Sequence, residues 1–387
     1  MVAILAVLAH HLVGWPRGGF IGIDIFFVVA GFFVTDNLLR TAGDTGTPSL
    51  GNFYRDRLRR IIPVAVVVLL LTFAASRYVL PSAAAHDTGI DALFALFFVA
   101  NWHFAVSGAD PSAAIDTASP LLHYWPLSVE EQFLVVWPLL ILGITLIAVR
   151  GAWSHTRWVA NTAAILGVIV AASLAWATYE TIVAPHWAYF STLTRVWEFG
   201  VGALLATAVG LLARLPNPLR PILSWAGLAA IAAGLVLIDG AAGYPAPWAL
   251  LPVAGAALVI AAGVGREPDL QFFLRNPVST YLGDLSYSLY LVHWPVIVLL
   301  AAVMDTNVYY YGSVLTLTFG LAIAAHHFIE NPLRYASRGA IMQARQDMKH
   351  GLFHVQLSTK IAGVATLVLL TACVISYAMS PQAIVGS

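Results

Sequence analysis

The chain has 387 residues, 60% of them hydrophobic and only 10% charged, and its mean hydropathy is +0.82. Soluble domains carry about 25% charged residues, so the composition excludes an ordinary soluble domain and predicts an all-α, polytopic membrane protein. Nineteen basic residues balance nineteen acidic ones, which excludes a strongly basic nucleic-acid binder.

The first forty residues hold two apolar runs joined by a Gly- and Pro-containing turn. The first run carries His10 and His11 and the second carries Asp24. Imidazole and carboxylate are expensive in hydrocarbon, so ionisable groups at this depth are functional candidates, weighed against simple cross-helix hydrogen bonding. Runs near the roughly 20 residues of a spanning helix fall at 1–13, 20–39, 61–80, 89–106, 127–149, 159–178, 189–212, 222–239, 246–264, 281–303, 311–329 and 361–380. Residues 1–13 lack a basic flank, so no cleavable signal peptide is expected.

Arginine placement sets the expected orientation. The loops holding Arg40 to Arg60, Arg150 and Arg157, Arg214 and Arg220, Arg266 and Arg275, and Arg334 to Lys360 agree in sidedness only if one run fails to cross. Residues 89–106, interrupted by Asn101, Trp102 and His103, are expected to be re-entrant or interfacial. About eleven crossings follow, with a cytoplasmic N-terminus and an extracytoplasmic C-terminus in the inner or plasma membrane. Residues 336–360 are expected to form a cytoplasmic amphipathic linker, and 361–387 an additional last span with a short tail. No soluble domain is expected. The lone cysteine, Cys373, allows no intramolecular disulfide, and neither a metal nor a permanently bound cofactor is expected.

Five stretches carry chemistry. In SLGNFYRDRLRRIIP, Arg57 and Arg60 lie three apart, a spacing that suits polyphosphate binding as well as a lipid-headgroup anchor, and Pro63 suits a helix start. SPLLHYWPLSVEEQF carries Glu130 at a helix start, with His123 upstream and expected in the same pocket. In TRVWEFGVGALLA, Arg195 and Glu198 are spaced i, i+3, as for an ion pair on one helix face. LGDLSYSLYLVHWPV takes Ser286, Tyr290 and His293 into a span, with His293 near its middle. HHFIENPLR closes a span with charges that read as a boundary marker.

In order and wording these stretches resemble the acyltransferase-3 family of integral membrane acyltransferases. The matching pieces are GGFIGIDIFFVVAGFFVT, FYRDRLRRIIP, NWHFA, SPLLHYWPLSVEEQFLVVWPLL, RVWEFGVGALLA, LGDLSYSLYLVHWPV and ENPLR, and residues 1–335 are expected to be the membrane acyltransferase domain. The resemblance implies transfer of an acyl group, acetyl or another short chain, from cytoplasmic acyl-CoA to a hydroxyl of an extracytoplasmic glycan or glycolipid. The family's essential His maps onto His11, with His10 as the alternative. Its preceding Arg would fall immediately before Met1, so either an Arg is expected there in the natural protein or the family's Arg-His pair is broken. The double-Arg motif maps onto Arg57 and Arg60 as donor-binding residues. Many members continue into an extracytoplasmic hydrolase-like domain, which residues 1–387 do not include.

The expected mechanism has His11 as general base, or alternatively as the carrier of an acyl-His intermediate, with Asp24 orienting the imidazole and Ser286, Tyr290 or His293 donating to the oxyanion. His123, Glu130, Arg195 and Glu198 are expected to line the pocket. Membrane lipid, acyl-CoA and the glycan acceptor are the expected partners. The competing reading is a transporter or flippase of an envelope lipid, which also keeps charges inside a bundle. The oligomeric state is not legible in the sequence.

Overall fold

Helices account for all the regular structure of the described residues. The computed structural model describes residues 1–111, 114, 115, 117–240, 243–334, 342 and 356–379; the 336–360 linker expected from the sequence lies almost wholly outside them. In chain order the helices are α1 (Val2–Val13), α2 (Gly22–Thr45), α3 (Leu50–Val79), α4 (Ser82–Leu96), α5 (Ala100–Ser107), α6 (Trp125–Arg150), α7 (His155–Val183), α8 (Pro185–Phe190) and α9 (Val196–Thr207). They continue with α10 (Val209–Leu212), α11 (Leu219–Leu237), α12 (Leu250–Gly263), α13 (Phe272–Arg275), α14 (Pro277–Asp284), α15 (Ser286–Ala301), α16 (Val308–Ala325), α17 (Asn331–Arg334) and α18 (Leu357–Ala378). A π-turn over His326–Glu330 separates α16 from α17.

Among the described residues, seven helices are by length and composition able to cross a membrane, or eight if α14 and α15, bent by 67°, make one span. Three shorter apolar helices, α1, α9 and α12, have 12, 12 and 14 residues. At about 1.5 Å per residue they are shorter than a hydrocarbon core of about 30 Å. The expected eleven crossings are reached only if all three also cross. The run expected at 189–212 is divided among α8, α9 and α10. Residues 82–107 form two short helices, with a break at Phe97–Val99 where Phe98 has φ of 54°.

Local chemistry explains several boundaries. Helix α1 stops at Gly14, whose φ of 68° suits a residue without a Cβ and lets its N–H cap the His10 carbonyl. Ser154 accepts from the Arg157 N–H to start α7, and Asn307 accepts from Tyr309 and Tyr310 to start α16. Pro63 corrects the sequence reading. It lies inside α3 rather than at its start, because the helix begins at Leu50 and tolerates the one ladder bond that proline cannot make.

The chain divides into two units. The first comprises Met1–Leu50, Phe97–Pro111 and Tyr124–Thr280. Its core packs Ile21, Val28, Trp197 and Val253 among others. Helices α2 and α9 touch backbone to backbone: a Cβ on Gly31 would strike the Phe199 carbonyl, and one on Gly202 the Val28 carbonyl. Small residues permit such approach where lipid supplies no hydrophobic drive. Trp137 on α6 donates to Thr35 on α2 at 2.8 Å, both buried. Arg220 is 2% exposed and has no carboxylate partner among the described residues. Its guanidinium instead donates to the carbonyls of Leu212, Ala213, Ala262, Val264 and Arg266, where the ends of α10 and α12 present negative dipole charge. The second unit comprises Gly51–Leu96, the described residues of 112–123 and those from Tyr281 onward. In it Tyr310 of α16 donates to the Ile297 carbonyl of α15, and Ser376 of α18 to the Tyr309 carbonyl.

Candidate active site

In the first unit, Arg195, Asp24 and Glu198 are all completely buried. Arg195 precedes α9, whose start is held by Ser173: its hydroxyl donates to the Leu193 carbonyl and accepts from the Trp197 N–H. The Arg195 Nη1 reaches Asp24 Oδ1 at 3.0 Å, Glu198 Oε1 at 3.1 Å and the Tyr244 hydroxyl at 3.2 Å, and Nη2 donates to the Tyr189 carbonyl. The guanidinium also lies over the rings of Trp125, Tyr189 and Tyr244, a cation–π arrangement that gains strength when desolvated. Tyr244 closes the group by donating to Asp24 at 2.8 Å. Burial keeps the Tyr244 hydroxyl protonated far above the usual phenol range, so it remains a donor.

This arrangement corrects the role expected of Asp24. Its oxygens accept from Arg195 and Tyr244, and it bonds to neither histidine. The carboxylate holds the buried guanidinium rather than an imidazole. The Arg195–Glu198 pair expected from the i, i+3 spacing is present but shared with Asp24. Sequence reasoning missed Tyr244, which stands 49 residues after Arg195 and 220 after Asp24.

His10 and His11 occupy the last turn of α1, both half-buried, where the helix dipole favours positive charge. His10 Nδ1 lies 3.0 Å from the Pro16 carbonyl. A carbonyl only accepts, so that bond places the proton on Nδ1. The His10 ring meets Phe20 edge-on at 5.6 Å, Phe20 meets Tyr244 at 4.8 Å, and the His11 ring is 5.7 Å from that of His10. A Cβ on Gly19 would strike His10 itself, so the Gly18-Gly19 turn seats this histidine. Glu130 is half-buried on α6 of this unit.

In the second unit, His123, Tyr290 and His293 come together. His123 Nε2 donates to the Leu291 carbonyl at 3.0 Å, His293 Nδ1 to the Tyr290 carbonyl at 2.6 Å, and the Tyr290 hydroxyl to the His123 carbonyl at 2.7 Å. The two imidazoles meet edge to face at 5.6 Å. His123 therefore groups with α15. The Tyr290 hydrogen is committed to a backbone carbonyl, which removes it from the expected oxyanion donors in this arrangement. Ser286, half-buried at the start of α15, makes no hydrogen bond among the described residues.

Arg57 and Arg60 lie one turn apart on α3 of the same unit. Arg60 stands 3.8 Å from Glu330, which is fully buried and also accepts from Ser288 at 2.9 Å and from His326 Nδ1 at 3.0 Å. The sequence reading took Glu330 as a boundary charge. The i, i+4 spacing of His326 and Glu330 was the signal for this pairing, and the π-turn that carries both is a feature frequent at functional sites.

The acyltransferase domain model of the acyltransferase-3 family matches residues 1–327. The chain is 29% identical over 351 residues to the peptidoglycan O-acetyltransferase OatA of Listeria monocytogenes, covering 86% of this chain and 54% of that protein. It is 30% identical over 354 residues to YrhL of Bacillus subtilis, whose name proposes the same activity, covering 86% of this chain and 53% of YrhL. The chain thus spans about half the length of the curated relatives it matches. No solved structure matches it. With its apolar helices and a match that takes in both histidines, the arginine pair and the buried Arg195 group, this multi-pass membrane protein belongs to the acyltransferase-3 family.

Proposed function

We propose that the chain is a membrane O-acetyltransferase that moves a short acyl group, acetyl in the simplest case, from cytoplasmic acyl-CoA to a hydroxyl of an extracytoplasmic glycan of the peptidoglycan class. The observation that carries this reading is similarity across 86% of the chain to a protein named for that reaction. In this reading His11 is the general base. It accepts the proton of the acceptor hydroxyl as the oxygen attacks the thioester carbon; the C–S bond breaks, and the imidazolium returns the proton to the departing thiolate. A place at the C-terminal end of α1 favours the imidazolium formed midway. His10, tied to Pro16 and Phe20, positions the turn, and the Asp24–Arg195–Glu198–Tyr244 group fixes α2 against α9. Arg57 and Arg60 hold the donor's phosphates through fork geometry that lysine lacks. The placement of arginine along the sequence supports a cytoplasmic N-terminus and an extracytoplasmic C-terminus.

The test is incubation of the purified protein with radiolabelled acetyl-CoA and peptidoglycan-derived glycan. Label is expected on the glycan with the parent protein and lost by a factor of about 10²–10⁴ with His11→Ala, while His10→Ala keeps more activity. Full transfer by His11→Ala overturns the base assignment. Movement of substrate across vesicles without covalent transfer supports the transporter reading instead.

A further inference from the structure

The second unit contains a cleft of about 420 Å³ between α3 and α4, within the roughly 300–1,000 Å³ of small-ligand sites. It is polar only at one end. Arg77 and His86 flank it where the Leu80–Pro81 turn joins the helices, and the rest of its wall is apolar, including Leu70, Phe73 and Leu93. Both Arg77 and His86 are exposed, and neither makes an ion pair or hydrogen bond among the described residues. Tyr78, 91% exposed beside Arg77, is the kind of aromatic that anchors a helix at the membrane interface.

The dimensions match one leaflet. From Arg77 to Val66 along α3, and from His86 to Leu96 along α4, the lining covers roughly 15 Å at 1.5 Å per residue. That is about half the thickness of the hydrocarbon core. The groove thus has the length of one leaflet, with cationic or hydrogen-bond-donating side chains only at the end beside the Leu80–Pro81 turn. Gly89 forms part of the wall, and a Cβ there would come within 2.9 Å of the Phe73 ring, so a larger side chain fills the cleft.

We propose that the α3–α4 groove binds a membrane lipid with an anionic phosphate headgroup, its phosphate between Arg77 and His86 and one acyl chain along α3 and α4. Charge complementarity selects this occupant. An apolar cleft alone takes any chain, whereas an unpaired guanidinium beside an imidazole favours a phosphate that carries net negative charge.

Delipidated protein in detergent is titrated separately with dioleoyl-phosphatidylglycerol, dioleoyl-phosphatidylcholine and inorganic phosphate, with binding followed by native mass spectrometry. Saturable binding of phosphatidylglycerol is expected, with phosphatidylcholine weaker by roughly fivefold or more and inorganic phosphate not retained. Arg77→Gln with His86→Gln is expected to abolish the preference between the two lipids, Arg77→Lys to keep it, and Gly89→Leu to lose both lipids. Each variant is checked for a monodisperse profile and unchanged acetyl transfer. Equal binding of the two lipids by the parent protein, a preference that survives the double substitution, or retention of phosphate alone overturns the proposal.

Discussion

Replacing Arg195 with methionine tests whether the buried charge group holds the first unit together. The substitution keeps side-chain volume but removes the donors that serve Asp24, Glu198, Tyr244 and the Tyr189 carbonyl. Asp24 and Glu198, both at 0% exposure, then lose the guanidinium they share, and Asp24 keeps only the Tyr244 hydroxyl among those donors. Breaking a buried ion pair by removing one partner costs about 3–5 kcal/mol, mostly from the uncompensated charge left behind. Arg195→Met should therefore lose about that much in SDS-induced unfolding measured in mixed micelles. The triple variant Arg195→Met, Asp24→Asn, Glu198→Gln should regain about 2 kcal/mol or more, because the remaining groups are neutral. Arg195→Lys should fall between, keeping charge but not the planar fork that reaches four partners. A loss below about 1 kcal/mol in Arg195→Met, or no recovery in the triple variant, refutes the view that uncompensated charge is what Arg195 prevents.

Other expectations follow from single contacts. Gly31→Ala and Gly202→Ala each drive a Cβ into a backbone carbonyl of the partner helix and should cost about 1–3 kcal/mol in the same unfolding assay, whereas Gly43→Ala on α2, with open space around it, should be neutral or slightly stabilising. Arg60→Gln should raise KM for acetyl-CoA by roughly tenfold with little change in kcat, as expected when one charge-assisted phosphate contact is lost; a kcat loss at constant KM, measured by initial rates, argues against donor binding. Tyr290→Phe removes the bond to the His123 carbonyl and should cost about 0.5–1.5 kcal/mol in stability while transfer persists; a loss of transfer beyond about a hundredfold with folding intact returns the phenol to the oxyanion role.

The sequence displayed what depends on near neighbours. Apolar runs marked most helices, the interruption near Asn101 coincided with a change of helix, and the i, i+3 spacing announced the Arg195–Glu198 contact. It concealed what depends on distant ones. Tyr244 comes from a loop with no periodicity, and only the tertiary fold delivers its hydroxyl to Asp24. Asp24 consequently looked like an imidazole's partner because His10 and His11 close the helix that precedes its own. Arg220 counted as one more loop charge, because a guanidinium satisfied by five carbonyls leaves no acidic partner to find. His123 was assigned to the helix that follows it, although its ring rests on residues about 170 positions later.

The backbone contact between α2 and α9 has a mechanical consequence. With Gly31 against Phe199 and Gly202 against Val28, no side chain stands between the two helices at that level to swing aside. Interiors packed this closely are bistable or rigid and do not stretch gradually. The pair should travel as one strut, and neither water nor a thioester has a doorway between them at the two glycines.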